Sequence, residues 1–112
     1  MPYEPLYERF EAKVPDGRTQ LAQFRRAGFL TAGDTPELYF FDVAGDETVV
    51  GISGSALQRF EQRRRLSREE KIDLAGSWLK QQIEAGVALE SQNLFLRDGE
   101  LAKMAAILSI QG

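Results

Sequence analysis

Apolar and polar positions alternate most clearly in the middle of the chain. "ELYFFDV" (37–43) is aromatic and β-branched, "AGDE" is a turn signal, and "TVVGIS" (48–53) is a second β-branched run. Together they predict a β-hairpin. Gly51 inside the second run points to a bulge or to a close backbone approach. From Ser53 the period changes. Ser53 or Ser55 can cap a helix starting near Ala56, with Leu57 and Phe60 three apart on its inner side. The chain pauses near Leu66, and "SREE" then forms a capping box with Ser67 at the N-cap and Glu70 three residues on. The helix that follows is predicted to run to about Ala85, with Gly86 as its left-handed stop.

At 100° per residue, Ile72, Gly76, Leu79 and Ile83 of that helix form one apolar stripe. Leu74, Trp78 and Ala85 fall nearly opposite, and Asp73, Ser77, Lys80 and Glu84 lie between as a polar face. The expected helix is wet on one side and apolar on two. "NLFLRDGE" predicts a short strand and a turn, with Asp98 as the cap of a last helix, "ELAKMAAILSI". After Glu100 that helix carries one charge, Lys103. Leu101, Met104, Ala105 and Leu108 form one face, while Ile107 and Ile110 are expected to point elsewhere and to need a partner or a second copy of the chain to cover them.

The N-terminal third fits two periods. "PLYERFEAKV" alternates as a strand does, yet Leu6, Phe10 and Val14 also stand at helical spacing. The reading taken is a strand, closed by the "PDG" turn (15–17) onto "RTQLAQF". "TAGDTPE" (31–37) reads as a loop by composition. The fold expected from these elements is α+β: one domain over 1–112, with a small antiparallel sheet around the central hairpin and C-terminal helices packed on one face.

Composition narrows the chemistry. At 112 residues, with 43% hydrophobic and 28% charged content, the chain can bury roughly two-thirds of its unfolded surface without disulfide or metal staples. No apolar run approaches the roughly 20 residues that span a bilayer, and the acidic start "MPYEPLYERFEAK" has no apolar core of a signal peptide. The absence of cysteine fits a cytoplasmic location. With neither histidine nor cysteine, Ser-His-acid and Cys-His catalysis are ruled out and the usual zinc ligands are missing. "GISGS" (51–55) lacks the second glycine of a nucleophile elbow and reads as a strand end plus cap. Asp42, Asp46 and Glu47 do not have the spacing of a calcium loop, and no phosphate-binding glycine motif occurs. No catalytic, cofactor or metal residue is therefore assigned. An enzyme would have to rely on a carboxylate or on Tyr3, Tyr7 or Tyr39.

Charge is unevenly placed. Leu57 to Lys71 holds six of the 14 cationic side chains but only three of the 17 acidic ones. Arg59, Arg63, Arg64, Arg65 and Arg68 could hold phosphates. Against that stand the net charge of −3, the interleaved Glu61, Glu69 and Glu70, and the lack of aromatic spacing for base stacking. Nucleic acid is thus not the expected partner. These arginines, with Trp78, Met104, Ile107 and Ile110, are the candidate contacts for a protein partner or a homodimer.

"YFFDVAGDETVVGISGSALQRF" followed by "REEKIDLAGSWLKQQIEAG" resembles a family of small bacterial domains of unknown function over residues 38 to 100. Its members show two strands, an I/V-S-x-x-A-L helix start, here Ile52, Ser53, Ala56 and Leu57, and then an R-x-x-I-x-x-x-A helix. Glu69 and Gly76 depart from the second motif around Ile72. The resemblance implies an α+β fold and a bacterial origin. The function expected on all these grounds is a non-enzymatic interaction or regulatory protein. One alternative is a phage- or plasmid-borne inhibitor of host machinery, such as an anti-CRISPR protein, and the other is the small enzyme above.

Overall fold

The computed structural model describes residues 5–110 and shows a five-stranded sheet with three helices. In chain order these are β1 (Arg9–Lys13), β2 (Thr19–Phe29), β3 (Glu37–Val43), β4 (Asp46–Ile52), α1 (Gly54–Glu61), α2 (Arg68–Glu84), β5 (Phe95–Leu96) and α3 (Asp98–Ile107). The strands lie side by side in sequence order. The fold is α+β, as the pattern predicts, with one correction to its sheet. β1 to β4 are antiparallel, but β5 joins β4 in parallel, because α1 and α2 form a crossover between them.

The N-terminal segment is a strand, not a helix. β1 turns through Asp16 and Gly17, whose φ is 97°, and Val14 N–H donates to Arg18 O at 2.9 Å. The β3–β4 connection is a two-residue loop. Ala44 and Gly45 both take positive φ, the backbone twist a tight hairpin requires, and Asp42 Oδ1 accepts from Gly45 N–H at 2.8 Å. β4 therefore starts at Asp46, two residues before the predicted run. Gly51 is not a bulge, and what approaches it is a side chain instead of a backbone: a Cβ there would lie 2.8 Å from Cδ2 of Phe95. The bulge is in β2, where the register with β3 shifts between Phe24 and Arg26.

Alternation places Ala12, Ala22, Phe24, Tyr39, Phe41, Val43, Val50, Ile52 and Leu96 on the buried face. Ala56, Leu57, Ile72, Leu79, Leu101 and Met104 cover them from the helices. Phe41 stands edge-on to Phe10 at 6.2 Å and to Phe24 at 5.6 Å between ring centres. The opposite face of the sheet is uncovered among the described residues. It carries Leu38, Phe40 and Val49 half-buried, and Arg26 lies over the Phe40 ring at 3.8 Å.

α2 departs from its predicted wet face. Its capping box forms as expected: Ser67 Oγ accepts from Glu70 N–H at 3.1 Å, and Glu70 Oε1 accepts from Ser67 N–H at 3.0 Å. Gly86 takes φ 72° as the stop. Asp73 and Ser77, however, are buried, because the segment before β1 crosses the helix at that level. Tyr7 N–H donates to Asp73 Oδ1 at 2.8 Å, and Ser77 Oγ donates to Leu74 O at 3.0 Å. Only the C-terminal end of the polar face, at Glu84, is exposed.

α3 corrects two expectations. Asp98 is its first residue, not its cap; the capping bond runs from Arg97 N–H to Glu100 Oε1 at 2.9 Å. At the other end Ser109 adopts φ 58° and Ile110 N–H donates to Ala105 O at 2.8 Å. That reversal folds Ile110 back into the core, where it is 6% exposed. The outward side of α3 consists of Ala102, Lys103, Ala106 and Ile107. No described helix is long and apolar enough to cross a membrane.

Candidate interaction surface

The arginines of 59–68 do not form one grip. Arg59 binds Asp98 of α3 through Nε at 2.9 Å and Nη2 at 2.5 Å. Arg64 folds onto Glu70 at 2.5 Å, and its buried Nη1 has no hydrogen-bond partner among the described residues. Arg68 stands over the Phe24 ring at 5.5 Å. Arg63 and Arg65 are exposed and in no ion pair among the described residues. Of the apolar candidates, Met104 is buried in the chain's own core, as Ile110 is, so neither reaches a partner. Trp78 is half-buried and donates from its indole N–H to Asn93 O at 2.9 Å, which fixes it between α2 and the loop before β5. Ile107 alone of that group is exposed, at 54%.

A second cluster lies where β2 ends and β3 begins. Tyr39 Oη donates to Glu37 Oε1 at 2.7 Å, and Lys71 Nζ donates to Glu37 Oε2 at 3.2 Å. Burial, then the Glu37 carboxylate, pushes the Tyr39 phenol far above its usual value, so it stays protonated at neutral pH. Tyr7 gives its backbone N–H to Asp73, and Tyr3 lies outside the described residues. The 31–36 loop is latched to the start of α1. Asp34 accepts from the Ser53 hydroxyl and from Ser55 N–H at 3.0 Å, and Ser53 Oγ accepts from Ala56 N–H as the helix cap. Gly54 is required here, since a Cβ would lie 2.6 Å from Thr35 O. A recess of about 550 Å³ opens between this loop and α1, lined by Thr35, Glu37, Leu57, Glu61 and Arg65. A second, of about 420 Å³, opens beside Ala27, Gly28 and Phe29 and shares Thr35 and Glu37 with it.

Beside this cluster runs an unpaired strand edge. β1 has five residues and β2 has eleven, and their pairing ends at Arg9 opposite Gln23. One further bond runs from Phe24 N–H to Glu8 O at 2.7 Å. Beyond it, no described segment pairs with β2 on that side. Leu30 N–H donates to Pro36 O across the β2–β3 hairpin. By alternation Gly28 also faces β3, and the amide and carbonyl groups of Ala27 and Phe29 point out from the sheet. Phe29 is 69% exposed and Leu30 51%.

The chain was compared with family models, curated proteins and solved structures. None of these matches it. The edge residues were not among those singled out from the sequence. The signal for them was the length of the second arm, since "RTQLAQFRRAGFL" outruns the strand that precedes the "PDG" turn. Among the described residues, no three acidic side chains are grouped closely enough to hold a metal ion.

The buried and latched carboxylates set the pH response. Burial pushes Glu70 up, but the Ser67 N–H and the Arg64 guanidinium outweigh it and hold the group below its ordinary 4.5. The Ser53 and Ser55 hydrogen bonds lower Asp34, and Arg59 lowers Asp98, both from an ordinary 3.8. A depressed carboxylate contributes stability above its unfolded pKa and loses it as pH falls through the folded value. The thermal midpoint should therefore show no histidine step between about pH 5 and 8, because the chain has no histidine, and should fall below about pH 4. Calorimetry across that range checks this, and Glu70→Gln should flatten part of the acid limb.

Proposed function

We propose that this chain is a non-enzymatic interaction protein that takes an extended segment of a protein partner onto the free edge of β2. The observation that carries the reading is the stretch Arg26–Leu30, whose outward backbone groups at Ala27 and Phe29 have no described partner and which ends in exposed Phe29 and Leu30. An unpaired edge is a template for another strand: main-chain hydrogen bonds supply affinity, and neighbouring recesses receive alternate side chains. The other edges are guarded. β1 places Arg9, Glu11 and Lys13 at alternate positions, and β5 is two residues long and followed by Arg97. The Tyr39 phenol is buried and engaged by Glu37, which favours a structural role for it over acid–base chemistry.

A random ten-residue peptide library selected on the protein, immobilised at low density, tests the reading. Ala27→Pro removes one outward N–H and places a ring in the path of an added strand. Enriched peptides should bind this variant at least about tenfold less tightly, the equivalent of roughly one or two hydrogen bonds. They should bind an Arg63→Ala/Arg65→Ala variant as before. Peptides that bind the proline variant undiminished would place the interaction elsewhere.

A further inference from the structure

We propose that the strand this edge receives is β2 of a second copy, in antiparallel register about a two-fold axis through Gly28. The inference rests on the edge-binding reading of β2 and names its occupant. In that register Gly28 faces Gly28 of the partner subunit, Ala27 faces the partner's Phe29, and Arg26 faces the partner's Leu30. Ala27 and Phe29 are the two residues whose amide and carbonyl groups point out, so each Ala27–Phe29 pair exchanges both hydrogen bonds, and the two-fold axis makes the pair occur twice. The two Gly28 residues form the close, non-hydrogen-bonded pair at the centre, where the absence of side chains lets the strands approach. Each exposed Phe29 ring packs beside a small Ala27, and each Leu30 beside the aliphatic stem of an arginine.

The self-compatibility of this register supports a second copy as the occupant: small residues meet large ones and no like charges are set opposite each other. No arginine stands opposite another: Arg26 faces a leucine, and its guanidinium already lies over Phe40. An axis through Ala27 serves less well. It uses the outward groups of Ala27 only once and sets Phe29 against Arg25, which lies in the bulge and is turned toward Asp42 at 3.4 Å. An axis through Gly28 uses only the regular strand beyond the bulge. The resulting interface is small, in the class of transient contacts, so the dimer is concentration-dependent.

The chain has no cysteine, so a single introduced thiol reports the axis. A Cβ at Gly28 meets nothing closer than the Phe40 ring at 3.7 Å, so Gly28→Cys is tolerated. A central non-hydrogen-bonded pair brings the two Cα atoms to about 4.5 Å, within the range a disulfide spans. With oxidised glutathione as the electron acceptor, Gly28→Cys should convert to a disulfide-linked dimer. An Ala106→Cys control on the outer side of α3 should give only collisional background. Adding Phe29→Asp, at a position already exposed, should slow the Gly28→Cys linkage at least about tenfold. In sedimentation equilibrium the unmodified chain should show a concentration-dependent dimer that Ile107→Asp leaves intact. Faster linkage of Ala27→Cys than of Gly28→Cys overturns the register. A monomer at every concentration, with Gly28→Cys no faster than the control, overturns the second copy as occupant. If peptide capture at the edge survives that result, the edge reading stands and the strand comes from another protein; if capture fails too, both readings fall.

Discussion

Replacing Phe41 by alanine is expected to lower the unfolding free energy by about 3–5 kcal/mol, the cost of removing a large side chain from a packed core. The ring is fully buried at the centre of the sheet and is the meeting point of Phe10 and Phe24, at 6.2 Å and 5.6 Å. Each edge-to-face pair adds about 0.5–1.5 kcal/mol beyond area alone. Against a total stability of about 5–15 kcal/mol, the loss is a large fraction. Urea denaturation should show a lower midpoint with an unchanged slope. The neighbouring Phe40→Ala should cost far less, because that ring is half-exposed on the uncovered face beneath Arg26. Equal losses for the two variants would mean that the faces of β3 have been assigned wrongly.

Gly76→Ala should destabilise the protein by about 2 kcal/mol, although alanine is the better helix former. Propensity alone favours the substitution by about 1 kcal/mol. The new Cβ, however, would run into Cβ of Tyr7 and lie 3.0 Å from its carbonyl oxygen. The obstacle is the Tyr7 Cβ, fixed to the main chain, together with the backbone carbonyl, not the end of a flexible side chain. Moving it costs about 1–3 kcal/mol as overpacking, and also breaks the Tyr7 N–H to Asp73 hydrogen bond, worth about 0.5–1.5 kcal/mol. Steric and hydrogen-bond losses together outweigh the gain in propensity. Gly99→Ala, in the first turn of α3 with nothing within 4 Å, is the matched control and should stabilise by up to about 1 kcal/mol. A stabilised Gly76→Ala variant would show that the segment before β1 does not dock on α2 in solution.

What was legible in the sequence was local. The hairpin at 37–53, the Ser67–Glu70 capping box and the Gly86 stop each depend on residues a few positions apart, and each forms. What was not legible depends on distant partners. Asp73 and Ser77 obey the helical period of a wet face, but a chain segment some 66 positions away covers them. By its spacing Ile110 extends the helical pattern of α3. The reversal that buries it is made at Ser109, where no glycine advertises a left-handed residue. The β2 bulge is equally silent, falling at Arg25. In the arginine stretch the pairing of Arg64 with Glu70 draws on the interleaved glutamates visible in the sequence, whereas Arg59 is drawn aside by Asp98, 39 positions away. The strand edge went unnoticed for a similar reason: a missing neighbour has no sequence of its own.

The parallel attachment of β5 also orders events in time. β1 to β4 form a meander, each strand joined to the next by a short connection, so this part of the sheet can assemble from local closures. β5 cannot add until α1 and α2 have been laid down between it and β4, a longer loop that costs more entropy to close. Its pairing with β4 spans two residues, and Gly51 N–H to Leu94 O and Ser53 N–H to Leu96 O, both at 2.9 Å, extend it. The C-terminal margin of the sheet is expected to pair last, after the meander that carries the open side of β2 has closed, and is then held by the fully buried Leu94 and Leu96.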